Sequence, residues 1–488
     1  MQSLSSKQAV SHTTPVTPRY ISLVGDDIAA KRQEILDYFV ATWEQYESLF
    51  APLKDEAYIY RAEPLRHPLI FYFGHTATFY VNKMILAQFT DARVDPELEA
   101  MFAIGVDEMS WDDLDSSHYD WPSVAAAKRY RDRVKARICA FIESMPLQLP
   151  ITQACPAWLV LMGIEHERIH LETSSVIMRM LPLELIDSVA AQSWPVCREV
   201  AAAPRVEWLS IPASTVKLGK DERDLSYAWD NEFGCDEQQL AEFKVATTLV
   251  SNQDFLEFVQ AGGYQERQYW TEEGRQWLDY TRTEHPRFWR PTLDGKYLQR
   301  NLFSEMPLPM NWPAEVNYLE AKAFCNWMRE RTGEPVRLPV EAEWCALRQS
   351  ELGLAPGKGN INLEQYASSC AVTANRQGRL YDVTGNVWQW TESPIDGYPG
   401  FGVHPWYDDF STPTFDGKHN LIKGGSWIST GNETLASSRY AFRRHFFQHA
   451  GFRMVISEQE PQAQHQDNVY ETDELVAQYC EFHYGDEY

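Results

Sequence analysis

The chain has 488 residues, a formal net charge of −25 at pH 7 and a hydrophobic share of 44%. That share can build folded cores, which excludes a globally disordered protein, and at roughly 100–200 residues per domain the length predicts about two to four domains. The negative charge disfavours binding to nucleic acids and to anionic membrane surfaces, because both are themselves negatively charged.

The N-terminal segment and the cysteines favour a cytoplasmic protein. Residues 1–19 are polar and lack the apolar segment of a signal peptide. The longest apolar stretch, around 157–164, is far shorter than the roughly 20 residues that span a bilayer. Eight cysteines are scattered without a Cys-x-x-Cys pair, which favours free thiols in a reducing compartment.

The first half of the chain has the apolar periodicity of long helices. Apolar residues recur in steps of three and four along 28–50, 69–87, 123–142 and 156–180. Four such helices with long connections predict an antiparallel four-helix bundle. The third helix is strongly basic, and we interpret its basic residues as a solvated face rather than as a substrate site.

The second half, after Pro204, has a different composition. Gly, Pro, Asn and Trp become frequent, and helical periodicity survives only in short pieces such as 252–260 and 318–331. Turn signals such as Thr384-Gly385-Asn386 recur. These features predict an α+β domain with little regular secondary structure. An acidic tail, 457–488, then carries nine acids and no Lys or Arg, and its pattern predicts a polar linker followed by a short helix over 471–482.

The sharpest motif is His166-Glu167-Arg168-Ile169-His170 on the fourth helix. Residues four apart lie on one helix face, so both imidazoles can bind one cation. The string also fits the His-Glu-x-x-His signature of zinc proteases, in which the glutamate is the general base, although the metzincin continuation is absent. A pair of buried, hydrogen-bonded histidines is the structural alternative.

A third metal ligand is expected on the second helix. His75 lies in the middle of that helix, among apolar neighbours that face a core. If it faces His166 and His170, the three imidazoles leave up to three positions of an octahedral metal open. Such a set is compatible with Fe(II), Zn(II) or copper, so these residues alone leave the metal undecided.

The second half contains a long series of recognisable phrases. They include Ile211-Pro212-Ala213, Asn252-Gln253-Asp254-Phe255-Leu256, Ala323-Phe324-Cys325-Asn326-Trp327, Arg337-Leu338-Pro339-Val340-Glu341-Ala342-Glu343-Trp344, Gly385-Asn386-Val387-Trp388-Gln389-Trp390, Gly424-Gly425-Ser426-Trp427 and Gly451-Phe452-Arg453. Together they resemble the formylglycine-generating-enzyme fold, which is C-type-lectin-like, across about 205–456. Two departures stand out: no cysteine precedes the final Gly-Phe-Arg where such enzymes carry a pair, and Gln389 replaces the usual Glu. They disfavour formylglycine chemistry and a calcium site, respectively.

The first half resembles the DinB-like helical bundle, whose three metal-binding histidines match His75, His166 and His170. The combination resembles the nonheme iron sulfoxide synthases of thiohistidine biosynthesis. Two segments, 67–75 (His-Pro-Leu-Ile-Phe-Tyr-Phe-Gly-His) and 468–472 (Asn-Val-Tyr-Glu-Thr), are similar to the 5-histidylcysteine sulfoxide synthases of ovothiol biosynthesis. The second segment resembles the lead-in to the C-terminal methyltransferase of that family.

This resemblance implies a division of the chain into four parts. They are an N-terminal extension (1–24), a DinB-like bundle with the metal ligands (25–195), a formylglycine-generating-enzyme-like domain (205–456), and an acidic linker with the stub of a methyltransferase domain (457–488). The implied fold class is a four-helix bundle followed by an α+β domain.

The implied reaction couples L-cysteine to the imidazole of L-histidine with Fe(II) and O2, giving 5-histidylcysteine sulfoxide. Its partners would be these small molecules, without nucleic acid or membrane, and the pathway would continue through a lyase and a methyltransferase. The resemblance also implies a catalytic tyrosine from the second domain, for which Tyr407 is the first choice and Tyr398 the second. Arg439, Arg443 and Arg444 are the candidates for binding substrate carboxylates.

Three alternatives remain open from the sequence. An ergothioneine-type synthase would act on trimethylated histidine and on cysteine or γ-glutamylcysteine. A zinc hydrolase would use Glu167 as its base. A non-catalytic ligand-binding protein is the third, because both folds also occur in proteins without enzymatic activity.

Overall fold

The N-terminal part of the chain folds as a bundle of long helices. The computed structural model describes residues 20–103, 120–221, 223–352 and 359–459. The helices of this part are α1 (Ile28–Phe50), α2 (Asp55–Ile59), α3 (Leu69–Leu86), α4 (Pro96–Met101), α5 (Val124–Ser144) and α6 (Pro156–Met178). The four long helices agree with the predicted bounds to within two residues. The acidic tail from residue 460, with its predicted helix and methyltransferase stub, lies outside the described residues.

Local sequence signals set the starts of the long helices. The Asp27 side chain caps α1 by accepting hydrogen bonds from the backbone of Ala29 and Ala30. The Ser123 hydroxyl accepts one from the Ala126 backbone at the start of α5. Pro156 occupies the first turn of α6, where its missing N–H costs nothing. These signals begin α1, α5 and α6 at or within one residue of the positions that the apolar periodicity predicts.

The described residues of the second part form four further α-helices and many short strands. The helices are α7 (Asn252–Gln260), α8 (Glu272–Thr281), α9 (Tyr318–Thr332) and α10 (Glu341–Leu352). The strands are β1 (Trp208–Ile211), β2 (Ser214–Leu218), β3 (Asp236–Leu240), β4 (Phe243–Ala246), β5 (Trp289–Pro291), β6 (Tyr297–Arg300), β7 (Glu305–Pro307), β8 (Val336–Arg337), β9 (Arg376–Gln377), β10 (Leu380–Tyr381), β11 (Trp388–Pro394), β12 (His419–Lys423), β13 (Tyr440–Arg443), β14 (Ala450–Gly451) and β15 (Val455–Ile456). The predicted α+β class is confirmed.

The strands form small sheets that bring distant segments together. One sheet has the order β1-β4-β15-β8 and is antiparallel, so the first and last strands of the domain flank β4. Another has the order β13-β12-β11-β14, in which only the β11–β14 pairing is parallel. Pairs β2-β3 and β9-β10 and the triple β5-β6-β7 complete the sheets of the described residues. Because β15 pairs with both β4 and β8, the end of the domain joins its beginning in one sheet.

The phrase Gly424-Gly425-Ser426-Trp427 forms a turn that only glycine accommodates easily. Gly424 has a φ of +104°, and a Cβ atom there would lie 2.9 Å from the carbonyl oxygen of Val383. Beside it, the Gln389 amide donates to the carbonyl of Asp382 and accepts from the Arg453 guanidinium. Gln389 therefore serves a buried hydrogen-bond network that ties β11 to the final Gly-Phe-Arg.

The bundle and the second domain pack against each other along α6, and one hydrophobic core extends through both. The Trp388 indole N–H donates to the Glu172 carboxylate over 2.7 Å, and the Ser426 hydroxyl donates to it over 3.1 Å. Two turns further, directly after the end of α6, Arg179 forms a buried ion pair with Glu315. These contacts between the domains fix the position of α6, and hence of its histidines, relative to the second domain.

Two further expectations concern the cysteines and the membrane. The seven described cysteines are all unpaired, as the scattered spacing predicts. None of the helices that the structure describes has the length and apolar character needed to cross a bilayer.

Candidate metal centre

Three histidines from two helices of the bundle converge at its interior. His75 comes from the middle of α3, and His166 and His170 come from adjacent turns of α6. All three side chains are buried. The predicted ligand set is therefore brought together, because α3 and α6 pack side by side with their histidines facing one another.

The distances between the imidazoles fit a single metal ion. The Nε2 atoms of His75 and His166 lie 3.4 Å apart, and those of His166 and His170 lie 3.2 Å apart. One ligand atom from each of the three residues lies within 4.8 Å of the others. Two nitrogens at about 2.1 Å from one metal, at octahedral to tetrahedral angles, would be about 3.0–3.4 Å apart. The arrangement is thus compatible with one shared cation.

The protonation of the histidines also suits metal binding. His75 Nδ1 donates to the carbonyl oxygen of Phe102 over 2.7 Å in the tautomer that leaves its Nε2 lone pair facing the cluster. Burial lowers the pKa of His75 to about 4 and lowers the pKa values of His166 and His170 well below the usual range. All three imidazoles are therefore neutral near pH 7, which is the form that ligates metals.

Tyr407 of the second domain lies beside the histidines. Its ring is 6.1 Å from the ring of His166 and 5.0 Å from that of Phe79, which itself stacks on His166 at 3.6 Å. Lys83 Nζ lies 4.0 Å from the centre of the Tyr407 ring. Tyr398, the second choice, instead donates its hydroxyl to Glu341. The geometry thus places Tyr407, and not Tyr398, next to the imidazoles.

A cavity of about 310 Å³ opens from this cluster toward the second domain. His166 and His170 form one wall, and the opposite wall includes Asn231, Tyr407, Asp409, Phe410, Arg439, Tyr440 and Phe442. The lining combines four Phe and Tyr rings with aliphatic residues and a few polar or charged groups. Such a site at a domain interface is suited to a small organic substrate.

Of the three predicted arginines, only Arg439 belongs to this lining. Its guanidinium is already engaged, because it pairs with Glu341 at 3.0 Å and donates to the carbonyls of Asn231 and Asp396. Arg444 donates to Asn420 and pairs with Glu273, away from the histidines. Arg443 lies on β13 outside the lining. The structure therefore places Arg439 in the same cavity lining as His166, His170 and Tyr407, whereas Arg443 and Arg444 lie outside that lining.

Glu167, the candidate base of a zinc hydrolase, faces another part of the bundle. Its Oε1 accepts a hydrogen bond from Arg131 at 2.9 Å, and both side chains are fully buried. Its Oε2 lies 3.5 Å from the Tyr80 hydroxyl. The Glu167 carboxylate is therefore hydrogen-bonded within the core of the bundle, which removes the support for the zinc-hydrolase hypothesis.

The expectation of a solvated basic face on α5 was wrong for Arg131, which is buried, whereas Lys128 and Arg129 are exposed.

Sequence reasoning missed three groups that line or flank the site. Phe79 and Lys83 follow His75 at intervals of four residues on α3. Residues at this spacing share one helix face, so the periodicity contained the signal. Asp409, 3.9 Å from Lys83, lies in an irregular loop whose position no periodicity reveals.

Comparisons with known proteins agree with this two-part architecture. Residues 38–174 match the DinB superfamily, and residues 196–458 match the sulfatase-modifying factor enzyme 1-like domain. Ergothioneine biosynthesis protein 1 of Schizosaccharomyces pombe is 24% identical over 80% of this chain and 51% of its own length. Hercynine oxygenase of Mycolicibacterium thermoresistibile is 25% identical over 80% of this chain and 88% of its own length. Hercynine oxygenase of Mycobacterium tuberculosis is 30% identical over 49% of this chain and 58% of its own length.

These matches settle the family and leave the substrate open. The chain spans about half the length of the fission yeast relative and most of the length of the Mycolicibacterium one. The relatives carry names from ergothioneine chemistry, which agree better with the ergothioneine-type alternative than with the ovothiol reading. The match to the second domain covers more than half of the residues. The chain therefore belongs to the family of the sulfatase-modifying factor enzyme 1-like domain, here preceded by a helical domain of the DinB superfamily.

Proposed function

We propose that this chain is a nonheme iron sulfoxide synthase, which uses O2 to join a thiol to the imidazole of a histidine derivative. The observation that carries the proposal is the convergence of three buried, neutral imidazoles beside Tyr407 in a cavity between the two domains. The names of the relatives support an oxygen-dependent enzyme. The reaction balances as thiol plus imidazole C–H plus O2 giving the sulfoxide plus water, with one oxygen atom in each product.

In this proposal the residues of the chain have separate roles. His75, His166 and His170 would hold the metal, and bound Fe(II) would supply the redox chemistry that reaction with O2 requires. Tyr407 would deliver or hold a proton at the edge of the cluster, with its phenol as the acidic group. Arg439, fixed by Glu341, would shape the cavity wall rather than pair with a free carboxylate. The aromatic lining would exclude water.

The cavity lining favours a trimethylated substrate such as hercynine. Phe410, Tyr440 and Phe442 line it with aromatic rings, and Asp409 contributes a negative charge. Aromatic faces and a nearby carboxylate attract a quaternary ammonium group, which carries charge but donates no hydrogen bonds. The names of the mycobacterial relatives point in the same direction.

Free L-histidine is the second candidate, on the basis of the segment 67–75. In that segment the His67 ring lies 4.4 Å from Phe71, and Phe71 stacks on His75 at 5.2 Å. The phrase that resembles the ovothiol group therefore packs directly behind a proposed metal ligand. The other phrase of that resemblance, 468–472, lies outside the described residues.

The test is a comparison of substrates on the full chain loaded with Fe(II) under anaerobic conditions. L-cysteine or γ-glutamylcysteine is added with either hercynine or L-histidine, followed by O2, and both oxygen uptake and the mass of the coupled product are measured. Coupling with hercynine supports the proposal in full. Coupling with histidine alone assigns the ovothiol-type reaction. Absence of oxygen uptake with every pair, from a chain that retains iron, would refute the synthase.

A further inference from the structure

Lys83, in the last turn of α3, lies against the two aromatic rings that flank His166. Its Nζ lies 4.0 Å from the centre of the Tyr407 ring and 5.3 Å from the centre of the Phe79 ring. The centres of these two rings in turn lie 6.1 Å and 3.6 Å from that of the His166 ring. One ammonium group of the bundle therefore contacts both a ring of its own helix and a ring of the second domain.

The ammonium group of Lys83 is largely removed from water. Its side chain is 13% exposed, although lysines are rarely buried unless they are paired. Burial lowers the pKa of Lys83, and the attraction of Asp408 and Asp409 opposes this effect only in part. A buried cation costs free energy unless its surroundings compensate for the lost water. The neighbours of Lys83 must therefore provide that compensation.

The ion pair with Asp409 does not account for the burial of Lys83. The Oδ1 atom of Asp409 lies 3.9 Å from Nζ, which is beyond hydrogen-bond distance, and the Asp409 side chain is 74% exposed. Pairs with an exposed partner contribute little stability. An aromatic ring face attracts a cation within about 6 Å, and the attraction is stronger when water is excluded. The Tyr407 and Phe79 rings are therefore the contacts that compensate for the burial.

Tyr407 lies in an irregular part of the second domain, so its ring depends on side-chain contacts for its position. Residues 401–411 consist of turns and irregular backbone. The Tyr407 ring packs against Phe410 and Trp229 of the same domain at centre distances of 5.0 Å and 6.0 Å. Lys83 comes instead from α3, a helix that carries one of the three histidines. Its contact therefore fixes the Tyr407 ring relative to the bundle.

We propose that Lys83 is a positioning residue for Tyr407, whose phenol it holds at the histidine cluster through the contact of its ammonium group with the ring. The proposal deepens the proposed function and rests on it for the role of Tyr407 in the reaction. Lys83 does not belong to the lining of the cavity beside the histidines, so it acts through Tyr407 rather than on a substrate. Its loss should therefore lower kcat without changing iron content or the KM of either substrate.

Kinetics of the iron-loaded full chain test this role. Lys83→Met keeps the length and packing of the side chain but removes its charge. We expect kcat to fall roughly tenfold, or about 1.4 kcal/mol, which is the range of a partly desolvated cation–π contact. Lys83→Arg should restore most of the rate, because a guanidinium also binds ring faces. Lys128→Met, at an exposed lysine 5.9 Å from the Tyr58 ring, is the matched control and should react like wild type.

A double variant separates positioning of the phenol from a general structural effect. If Lys83 acts through the Tyr407 hydroxyl, Lys83→Met should cause no further fall in rate when it is added to Tyr407→Phe. An equal fall in rate with and without the hydroxyl would overturn the proposal. Should Lys83→Met fold poorly, Lys83→Gln provides the same comparison.

A spectroscopic measurement tests the contact without turnover. The full chain is labelled with 3-fluorotyrosine and loaded with diamagnetic Zn(II), which three histidines can also bind. The fluorine resonance that is missing in Tyr407→Phe belongs to Tyr407. Lys83→Met should shift or broaden this resonance, because the charge over the ring is lost, and Lys128→Met should leave it unchanged.

The resonance distinguishes failure of this proposal from failure of the proposed function. An unchanged Tyr407 resonance in Lys83→Met would overturn the positioning role, whether or not the chain is a synthase. A shifted resonance in a chain that couples no pair of substrates would support the positioning of Tyr407 by Lys83 and refute the synthase alone.

Discussion

Arg131 on α5 and Glu167 on α6 form an ion pair with both side chains fully buried, at an N–O distance of 2.9 Å. The same guanidinium donates to the Phe73 carbonyl and to the Thr76 hydroxyl on α3. The pair therefore links the three helices around the histidines. Since Glu167 directly follows His166, it also fixes the turn of α6 that carries the proposed ligands.

Loss of this pair should destabilise the bundle strongly. Arg131→Met leaves the Glu167 charge buried without a cation, so we expect a loss of about 3–5 kcal/mol in the free energy of unfolding. Urea denaturation followed by circular dichroism measures the change. Arg129→Met, two positions earlier at an exposed site, should change stability by less than about 0.5 kcal/mol. Equal stabilities of the two variants would contradict a structural role for the pair.

Iron binding should depend on the histidine cluster. His166→Ala removes one of the three imidazoles of the cluster, so we expect loss of stoichiometric Fe(II) while the helical content remains. Metal content after anaerobic loading and desalting is the measurement, and circular dichroism reports the fold. His285→Ala, at a half-buried histidine of the second domain, should bind iron like wild type. Full iron content in His166→Ala would refute the ligand set.

The sequence predicted the long helices and the His166–His170 pair because both depend on local spacing. His75, 91 positions from His166, was assigned to the cluster from its apolar neighbours and from the family resemblance. The period of apolar residues gives α1, α3, α5 and α6, and the spacing of four puts His166 and His170 on one face. Arg131 could not be predicted to be buried, because its partner Glu167 lies 36 positions away and on another helix. Pairings of this kind depend on how the helices rotate against each other, which periodicity does not specify.

The second domain illustrates the same limit. Its recognisable phrases predicted the fold. The predicted Tyr407 lies beside His166 in the structure, and its catalytic role stays a prediction. The arginines were chosen from their position before Gly451, but the structure shows Arg444 held by Glu273 and Arg439 held by Glu341. Both carboxylates are distant in the sequence from the arginines that they bind, so these pairings depend on tertiary contacts.

Removal of the Tyr407 hydroxyl should impair chemistry without affecting metal binding. Tyr407→Phe retains the ring that packs on Phe79, so we expect unchanged iron content. If the phenol handles a proton in the reaction, the rate of sulfoxide formation should fall by roughly 100-fold, the lower range for loss of a general acid–base group. Tyr398→Phe, whose hydroxyl binds Glu341, serves as the matched control and should react at a rate close to that of wild type. Full activity of Tyr407→Phe would remove Tyr407 from the reaction.

Acid should weaken the second domain through Glu341. Burial opposes its charge, but the attraction of Arg439 and Lys423 outweighs burial and lowers its pKa from 4.5 to about 2. A carboxyl with a lowered folded-state pKa contributes stability above its unfolded pKa, and this contribution is lost as the pH falls from about 4.5 toward 2. Unfolding free energies measured across that window should fall more steeply for wild type than for Glu341→Gln. Parallel pH profiles would contradict this assignment.

Gly431 should be required for the contact between the two domains. It lies in a short loop of the second domain with a φ of +59°, and a Cβ atom there would collide with Glu165 and Arg168 of α6 and lie 2.7 Å from the Tyr38 hydroxyl. Gly431→Ala should therefore lower the unfolding free energy by about 1–3 kcal/mol. It should also reduce iron affinity, because the displaced Glu165 directly precedes His166. Gly417→Ala, at a similar φ of +70° but with open space around its Cβ among the described residues, bears the backbone strain alone. If both variants lose the same stability, strain rather than the close approach of α6 explains the effect.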